Sequence, residues 1–436
     1  MAALVWLTLV VAYAVGAVSA TKQLWPYAQI SAALQFMVGH PEEKTSLWQK
    51  ISNDLGGLPL RHVVPSAAKA FPDPAYAALD AADWNDEREP PLIYLSKDAP
   101  RGYRFLFAPF YFQHSIHGAI LLDPDGKVQN VWRVSQDDLP WEHKPDHQIF
   151  PHGFEVMRDG SILVAYEKGL SLTRYDYCGR KQWQVAGGFD HSIDLHDDGS
   201  FWVWGKANVK NLGRRDLIRM SAKDGSVIRT IAIQDIADAN PDIDILGLRQ
   251  IDGIEGSAWA DDPLHPNDID PLPAALAGYY PGFDAGDLLV SMRSVNLVFV
   301  VDPESLEVKW WRHGLARRQH DPDWNDRGTF TIFDNNMHRG QSKIIEVDPR
   351  SGARRTMVDG AEYDFYTRHR GKHQELPDGT MLITSSQQGR VFEVAPDGRV
   401  TFDFHNRFSE EHGALAVSEA RFVPPDFFEE LPTCEN

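Results

Sequence analysis

The chain has 436 residues and a formal net charge of −19 at pH 7. This charge argues against a nucleic-acid partner, because binding to a phosphate backbone depends on clustered Lys and Arg, and the sequence contains no such cluster. The length suits two average domains or one large all-β domain. A content of 33 Gly, 28 Pro, 22 Phe and 13 Trp favours many short strands joined by turns.

The first 20 residues form an uncharged apolar run that ends in small residues, Val18-Ser19-Ala20. Such a run is typical of an export signal, but it lacks a basic start, so both a cleaved signal peptide and an uncleaved membrane anchor fit. In either case we expect the body of the protein outside the cytoplasm. In that oxidising environment Cys178 and Cys434 could form a disulfide.

Residues 21–100 are predicted to form a helical and irregular lead-in. The stretch 26–56 has apolar residues at helical spacing, whereas residues 57–100 are rich in Pro, Ala and Asp. We expect this segment to be a spacer that packs on the main domain.

Repeated short strands follow from residue 101 to residue 423. The first repeat contains an Asp-Gly hairpin turn at Asp125-Gly126. Each of the other repeats has an entry strand, a Gly-containing turn, a strongly apolar strand and two further strands. These five repeats begin with histidines: His152, His191, His265, His320 and His373.

Six repeats of about four strands predict an all-β fold, a six-bladed β-propeller. A sandwich or a parallel β-helix fits less well, because neither explains a four-stranded antiparallel unit that recurs six times. Residues 412–423 are predicted to supply a strand that closes the ring against the first blade, which leaves no long open edge. Residues 424–436 form a tail.

The repeats also predict where the functional site lies. In a propeller blade the first strand lies nearest the central axis, and the second strand returns antiparallel to it. The start of the first strand and the end of the second therefore share one face. The five histidines should converge at one mouth of the central channel, together with Arg293 and Asn335, which follow second strands.

Several imidazoles at one channel mouth suit either a metal ion or an anion, although any single histidine could simply cap a turn. A metal site would combine neutral histidines with the nearby carboxylates of Asp194, Asp268 and Asp321. An anion site would use Arg293, Asn267 and Asn335. We favour the anion, because the carboxylates are offset from the histidines by one or three residues, so some should point to the opposite strand face.

Common motifs of other chemistries do not occur in the sequence. It has no Gly-rich phosphate loop ending in Lys-Ser or Lys-Thr, no Gly-x-Ser-x-Gly elbow and no His-Glu-x-x-His zinc helix. Nucleotide-dependent transfer and the common forms of hydrolysis therefore lose support.

Four linked motifs resemble those of the bacterial arylsulfate sulfotransferases, which are six-bladed propellers of the periplasm. The likeness covers about residues 102–405. The motifs are DHSIDLHDDG from Asp190, HPNDI from His265, LLVSMRSVNLVFVVD from Leu288 and QHDPDWNDRGTFTIFDN from Gln319.

The resemblance implies a ping-pong transfer of a sulfuryl group from a phenolic sulfate ester to a phenol, without a nucleotide donor or other cofactor. The family's nucleophilic histidine falls on His320, and its further catalytic residues fall on His191, His265 and Arg293. One departure is Asp190, which replaces the first residue of the family's double histidine. The resemblance also implies a periplasmic protein, either soluble after signal cleavage or anchored to the inner membrane through residues 1–20.

Four further residues are expected to bind substrate. Asn267 matches the asparagine of the family's His-x-Asn element, and the predicted ring geometry adds Asn335, His152 and His373. Two other functions remain open from the sequence. One is a non-catalytic propeller that binds an anionic or sulfated ligand, and the other is a metal-dependent hydrolase that uses the histidine ring.

Overall fold

A computed structural model describes residues 75–81, 83–136, 139–140, 142, 150–166, 170–207, 216–245 and 264–434. The predicted signal or anchor and most of the predicted lead-in lie outside these residues. All of the described residues belong to one compact unit, Ile51–Asn436. The fold is all-β, with 47% strand and 6% helix, and its antiparallel sheets have a propeller-like arrangement.

The strands, numbered in chain order, are β1 (Ala77–Ala78), β2 (Leu92–Leu95), β3 (Tyr103–Pro109), β4 (His117–Leu122), β5 (Val128–Val134), β6 (Pro151–Val156), β7 (Ile162–Tyr166), β8 (Ser171–Tyr175), β9 (Lys181–Leu195), β10 (Ser200–Ala207), β11 (Asp216–Ser221), β12 (Val227–Ala232), β13 (Pro266–Pro271), β14 (Leu288–Met292), β15 (Leu297–Val301), β16 (Val308–His313), β17 (His320–Trp324), β18 (Phe330–Asp334), β19 (Lys343–Val347), β20 (Arg354–Asp359), β21 (Lys372–Glu375), β22 (Met381–Ser385), β23 (Arg390–Val394), β24 (Val400–His405), β25 (Arg407–Ser409), β26 (Gly413–Ala414) and β27 (Glu419–Val423). The helices are α1 (Ile233–Ala239) and α2 (Gly360–Tyr363), with 3-10 turns at Ala277–Tyr279, Arg293–Val295 and Ser386–Gln388.

The strands form sheets of antiparallel neighbours. Three sheets have four strands, in the orders β27-β3-β4-β5, β13-β14-β15-β16 and β17-β18-β19-β20. A seven-stranded sheet runs from β6 to β12, because the first half of β9 pairs with β8 and its second half pairs with β10. A six-stranded sheet has the order β1-β2-β24-β23-β22-β21, and β25 and β26 form a separate pair.

Six inner strands contact one another in a closed cycle of β6, β9, β13, β17, β21 and β27. The C-terminal strand β27 pairs with β3, which confirms the predicted closure against the first repeat. At the other end of the described chain, β2 pairs with β24 at the outer side of the last sheet. The described part of the lead-in is thus partly strand, and it joins the ring.

A buried ion pair also ties the first sheet to the last. The guanidinium of Arg104 on β3 binds both carboxylate oxygens of Glu393 on β23, at 2.7 Å and 2.8 Å, and both side chains are almost fully buried. Bidentate pairs of this kind fix geometry as well as charge. Between the sheets the core is apolar, with Phe105, Phe107 and Trp132 fully buried.

Hairpin turns set the strand ends. In the first repeat the amide of Gly126 donates to the carbonyl of Asp123 at 2.9 Å, and Gly126 has a φ of 78°. Glycine adopts this left-handed conformation without a steric penalty, as the Asp-Gly signal predicts. Among the described residues, no helix is both long and apolar enough to span a membrane.

A disulfide joins Cys178 to Cys434. The pairing that the sequence left open is therefore present. Cys178 lies in the hairpin between β8 and β9, and Cys434 lies in the C-terminal tail. Phe428 of the tail packs edge-on against Tyr103, with ring centroids 5.2 Å apart. The bond therefore holds the tail against the outside of the first repeats.

We predict that the double variant Cys178→Ser/Cys434→Ser unfolds at a lower temperature and a lower denaturant concentration than the wild type. A cross-link over 256 residues restricts the unfolded chain, with an entropic contribution on the order of 5 kcal/mol. Thermal and urea melts followed by circular dichroism measure the change, and reduction of the wild type provides the control. Equal stability of oxidised, reduced and substituted protein would contradict this prediction.

Candidate active site

The five repeat histidines all lie on or next to inner strands, and four of them are at the strand starts that the sequence predicts. His152 and His373 are the second residues of β6 and β21, and His320 is the first residue of β17. His265 immediately precedes β13. His191 lies within β9, in the half that pairs with β10.

Beside four of these histidines the strand pairing is irregular. The register shifts occur between Pro151 and Phe154, Asp190 and Ile193, Pro266 and Asp268, and His320 and Pro322. His191, His265 and Asp321 have φ values of 63°, 48° and 52°. Such conformations are costly for residues other than glycine. These β-bulges break the alternation of the strand, so His320 and Asp321 both point into the polar interior although they are neighbours in sequence.

His320 makes one hydrogen bond that determines its chemistry. Its Nδ1 lies 2.6 Å from Oδ1 of Asn335. The amide nitrogen of Asn335 donates to the carbonyls of Thr367 and Arg370, at 2.9 Å and 2.6 Å. These two bonds fix the orientation of the amide, so Oδ1 must accept and Nδ1 of His320 must carry the proton.

The other ring nitrogen of His320 is therefore left with a lone pair. Nε2 is buried and has no hydrogen-bond partner among the described residues. Burial, together with the nearby guanidinium of Arg293, lowers the pKa of His320 well below its usual value of 6.5. The imidazole is thus neutral at neutral pH, with an unprotonated nitrogen inside a cationic and polar pocket.

Three further histidines line up beside this pocket. The rings of His152 and His191 have centroids 4.3 Å apart, and those of His191 and His265 are 5.0 Å apart. Nδ1 of His191 lies 2.8 Å from the carboxylate of Asp190, and both side chains are buried. His265 and His320 are close enough for their charges to interact. The structure therefore brings His152, His191, His265 and His320 together.

Arg293 follows β14 and lies next to the same group. Its guanidinium is near His320, and its Nη1 lies 3.4 Å from Nδ1 of His369. Because a guanidinium can only donate, this contact leaves the proton of a neutral His369 on Nε2. Burial and Arg293 lower the pKa of His369 to about 4, so His369 is a neutral hydrogen-bond donor at neutral pH.

Asn267 supports the backbone before the central histidine. Its amide nitrogen donates to the carbonyl of Gln319 at 2.8 Å. The side chain of Gln319 in turn donates to Ser291 and to the carbonyl of Leu297, each at 3.0 Å. Asn267 thus connects the start of β13 to the start of β17 and helps to position His320.

His373 has different surroundings. Its Nδ1 lies 3.0 Å from Asp321, and its Nε2 lies 3.5 Å from Asp323. Its neighbour Lys372 bridges Asp268 at 3.0 Å and Asp321 at 2.7 Å. Although burial disfavours the charge, these carboxylates raise the pKa of Lys372 well above its usual value. The structure places His373 with carboxylates, whereas His320 lies with Arg293 and the other imidazoles.

The sequence interpretation did not single out His369, Arg370 or Lys372. All three lie in the segment RHRGKH, at residues 368–373, which leads into β21. The guanidinium of Arg370 lies 3.5 Å from the centre of the Phe150 ring and helps to lower the pKa of His152, after burial. The sequence does contain a signal for them, because several cationic residues lie close together just before His373 at the start of β21.

A family model described as arylsulfotransferase (ASST) matches residues 171–407. The matched region is more than half of the chain, and it contains His191, His265, Arg293 and His320. The chain belongs to the arylsulfotransferase family.

Solved structures show similarity at low sequence identity. A protein of unknown function from Bacteroides caccae is 11% identical with a TM-score of 0.47, and the match covers 74% of this chain and 99% of that one. TolB from Acinetobacter baumannii is 13% identical with a TM-score of 0.44, covering 74% and 67%. A streptogramin B lyase is 10% identical with a TM-score of 0.43, covering 80% and 97%. No curated protein sequence matches the chain.

We predict that His320 stays neutral, with its proton on Nδ1, when the pH is lowered from about 7.5 to about 5.5. A folded-state pKa far below 6.5 means that protonation begins only at more acidic pH. In the Asn335→Ala variant the proton should distribute over both nitrogens, because its acceptor is gone. Nitrogen-15 NMR of labelled histidine, assigned with His320→Gln, measures both states. Protonation of His320 near pH 6.5 in the wild type would refute this assignment.

Proposed function

We propose that the protein transfers a sulfuryl group from an aryl sulfate ester to a phenolic acceptor, in two steps through His320 and without a nucleotide. Membership of the arylsulfotransferase family suggests aryl sulfate and phenol substrates. The observation that carries the proposal is the buried lone pair on Nε2 of His320, next to Arg293. Such a nitrogen is an activated nucleophile at neutral pH.

In the first step, the Nε2 lone pair forms a bond to sulfur while the bond between sulfur and the phenolic oxygen breaks. The electron pair of that bond leaves on the phenolate. Because the attacking imidazole is neutral, the product is a sulfated imidazolium that keeps its proton on Nδ1. The 2.6 Å bond to Oδ1 of Asn335 stabilises this new positive charge, and the amide accepts the hydrogen bond without taking the proton.

The departing phenolate needs a proton, and His191 is the best placed donor. Its Nδ1 faces the buried carboxylate of Asp190 at 2.8 Å. A carboxylate in this position orients the imidazole and stabilises its protonated form, as in other acid–base pairs of this type. Asp190, which replaces the first histidine of the family's double histidine, would thus orient His191 as the proton donor.

In the second step, the hydroxyl oxygen of a phenolic acceptor attacks the same sulfur and the bond between sulfur and Nε2 breaks. The acceptor returns its proton to His191, and His320 regains its lone pair. The sulfate ester carries one negative charge, which Arg293 and the neutral donor His369 can bind through its oxygens. His265 and His152 complete the polar wall around the transferred group.

We also propose that the ring has six blades. The closed cycle of six inner strands supports this count, as does the division of the seven-stranded sheet at the centre of β9. An extracytoplasmic protein is supported by the disulfide between Cys178 and Cys434, since such bonds persist in oxidising compartments. Residues 1–20 would then serve as an export signal or a membrane anchor.

We predict that purified protein releases phenol from a chromogenic aryl sulfate when a second phenol is present, and that His320→Asn reduces the rate by at least about a thousandfold. Without Nε2 no covalent intermediate forms, and positioning alone leaves a small residual rate. Phenol release is followed by absorbance, and the sulfated acceptor is detected by mass spectrometry.

The matched control is His196→Gln, which removes a half-buried imidazole paired with Asp198 at 3.1 Å. His196 lies in the turn after β9, at the opposite end of the inner strand from His191, so this variant should keep the wild-type rate. Binding of the aryl sulfate without turnover, or equal rates in the wild type and His320→Asn, would reject the transferase.

A further inference from the structure

The interior of the ring contains a dense group of acidic side chains next to the histidine pocket. These residues come from inner strands, and they are Glu155, Asp194, Asp268, Asp270, Asp321, Asp323 and Glu419. Two cations, Lys372 and Arg421, neutralise part of the group. Lys372 bridges Asp268 and Asp321, and Arg421 contacts Glu419 at 2.9 Å and Glu155 at 3.6 Å.

Neither Lys372 nor Arg421 forms a described ion pair with Asp323. Its described ionic contact is with the ring of His373, and 29% of its side-chain surface remains exposed to solvent. Water can therefore reach this carboxylate. Asp323 is thus a partly exposed carboxylate in the same group as the buried Asp268, Asp321 and Glu419.

The Nε2 atom of His373 faces the carboxylate of Asp323. Nδ1 of His373 lies 3.0 Å from Oδ2 of Asp321, and the backbone amide of His373 donates to the same oxygen. Asp321 is an acceptor here, because its other oxygen, Oδ1, also faces a donor, the ammonium group of Lys372 at 2.7 Å. The proton of His373 is therefore on Nδ1, and Nε2 presents its lone pair.

The geometry around this lone pair is that of a metal ligand. Nε2 of His373 is buried and has no hydrogen-bond partner in the described part of the chain. Its 3.5 Å separation from Oδ2 of Asp323 is too long for a good hydrogen bond. It is close to the distance of about 3.4 Å that separates two ligands of one tetrahedral ion with bonds of about 2.1 Å. One ligand atom each from Asp321, Asp323 and His373 lies within 4.8 Å of the other two.

We propose that Asp321, Asp323 and His373 form a binding site for one divalent transition-metal ion, separate from the sulfuryl-transfer histidine. Asp323 and Nε2 of His373 bind the ion directly, and water completes its coordination. Asp321 holds the opposite ring nitrogen, in the manner of the carboxylate–histidine pairs that orient metal ligands. A mixture of imidazole nitrogen and carboxylate oxygen suits Zn²⁺ or Mn²⁺ better than Mg²⁺.

Such an ion would connect the inner strands β17 and β21 within the channel. It would also add two positive charges to a group in which seven carboxyl groups face Lys372 and Arg421. We therefore expect the ion to stabilise the ring.

The experiment uses the full purified chain, stripped with a chelator and dialysed. Zn²⁺, Mn²⁺ or Mg²⁺ is added separately, unbound ions are removed by gel filtration, and bound metal is counted by mass spectrometry. We expect about one Zn²⁺ or Mn²⁺ per chain and a rise in melting temperature. Asp323→Asn and His373→Gln should each weaken binding by at least about tenfold. His196→Gln, which removes a half-buried histidine beside Asp198, should bind metal as the wild type does.

Circular dichroism of the stripped variants shows whether each one is folded, and the partly exposed Asp323 provides a substitution that should be tolerated even if His373→Gln is not. A wild-type chain that retains no metal and has an unchanged melting temperature would overturn the proposal. Wild-type binding in a folded Asp323→Asn variant would overturn it as well.

Discussion

The hydrogen bond between Nδ1 of His320 and Oδ1 of Asn335 is the interaction on which the candidate site depends. Two backbone carbonyls, of Thr367 and Arg370, fix the amide, and the amide fixes the proton of the imidazole. A carboxylate in place of Asn335 would favour the imidazolium and remove the lone pair. Burial and Arg293 keep the ring uncharged, and in the proposed reaction the amide would stabilise the positive charge that forms on it.

The propeller-like ring brings the residues of the candidate site together. Inner strands that contact one another in a closed cycle bring together histidines that are far apart in sequence, and bulges at the strand starts turn consecutive side chains into the interior. Arg104 and Glu393, the pairing of β27 with β3, and the pairing of β2 with β24 close the ring.

The sequence predicts the strands and the convergence of His152, His191, His265 and His320, because repeated units place equivalent residues at equivalent positions. It does not reveal the bulge at Asp321, since strict alternation would turn this carboxylate away from the histidine face. The orientation of the Asn335 amide depends on carbonyls from another part of the chain, so no local pattern contains it. His369 was missed for a related reason, because its role follows from a contact with Arg293, 76 residues away.

The central claim is that Nε2 of His320 carries the sulfuryl group between donor and acceptor. The most direct measurement is mass spectrometry of the protein after brief exposure to an aryl sulfate without acceptor, followed by digestion at neutral or basic pH. The account predicts a mass increase of one sulfuryl group on the peptide that contains His320, which disappears when a phenol is added. An unmodified His320 peptide from protein that is nevertheless turning over substrate would contradict it.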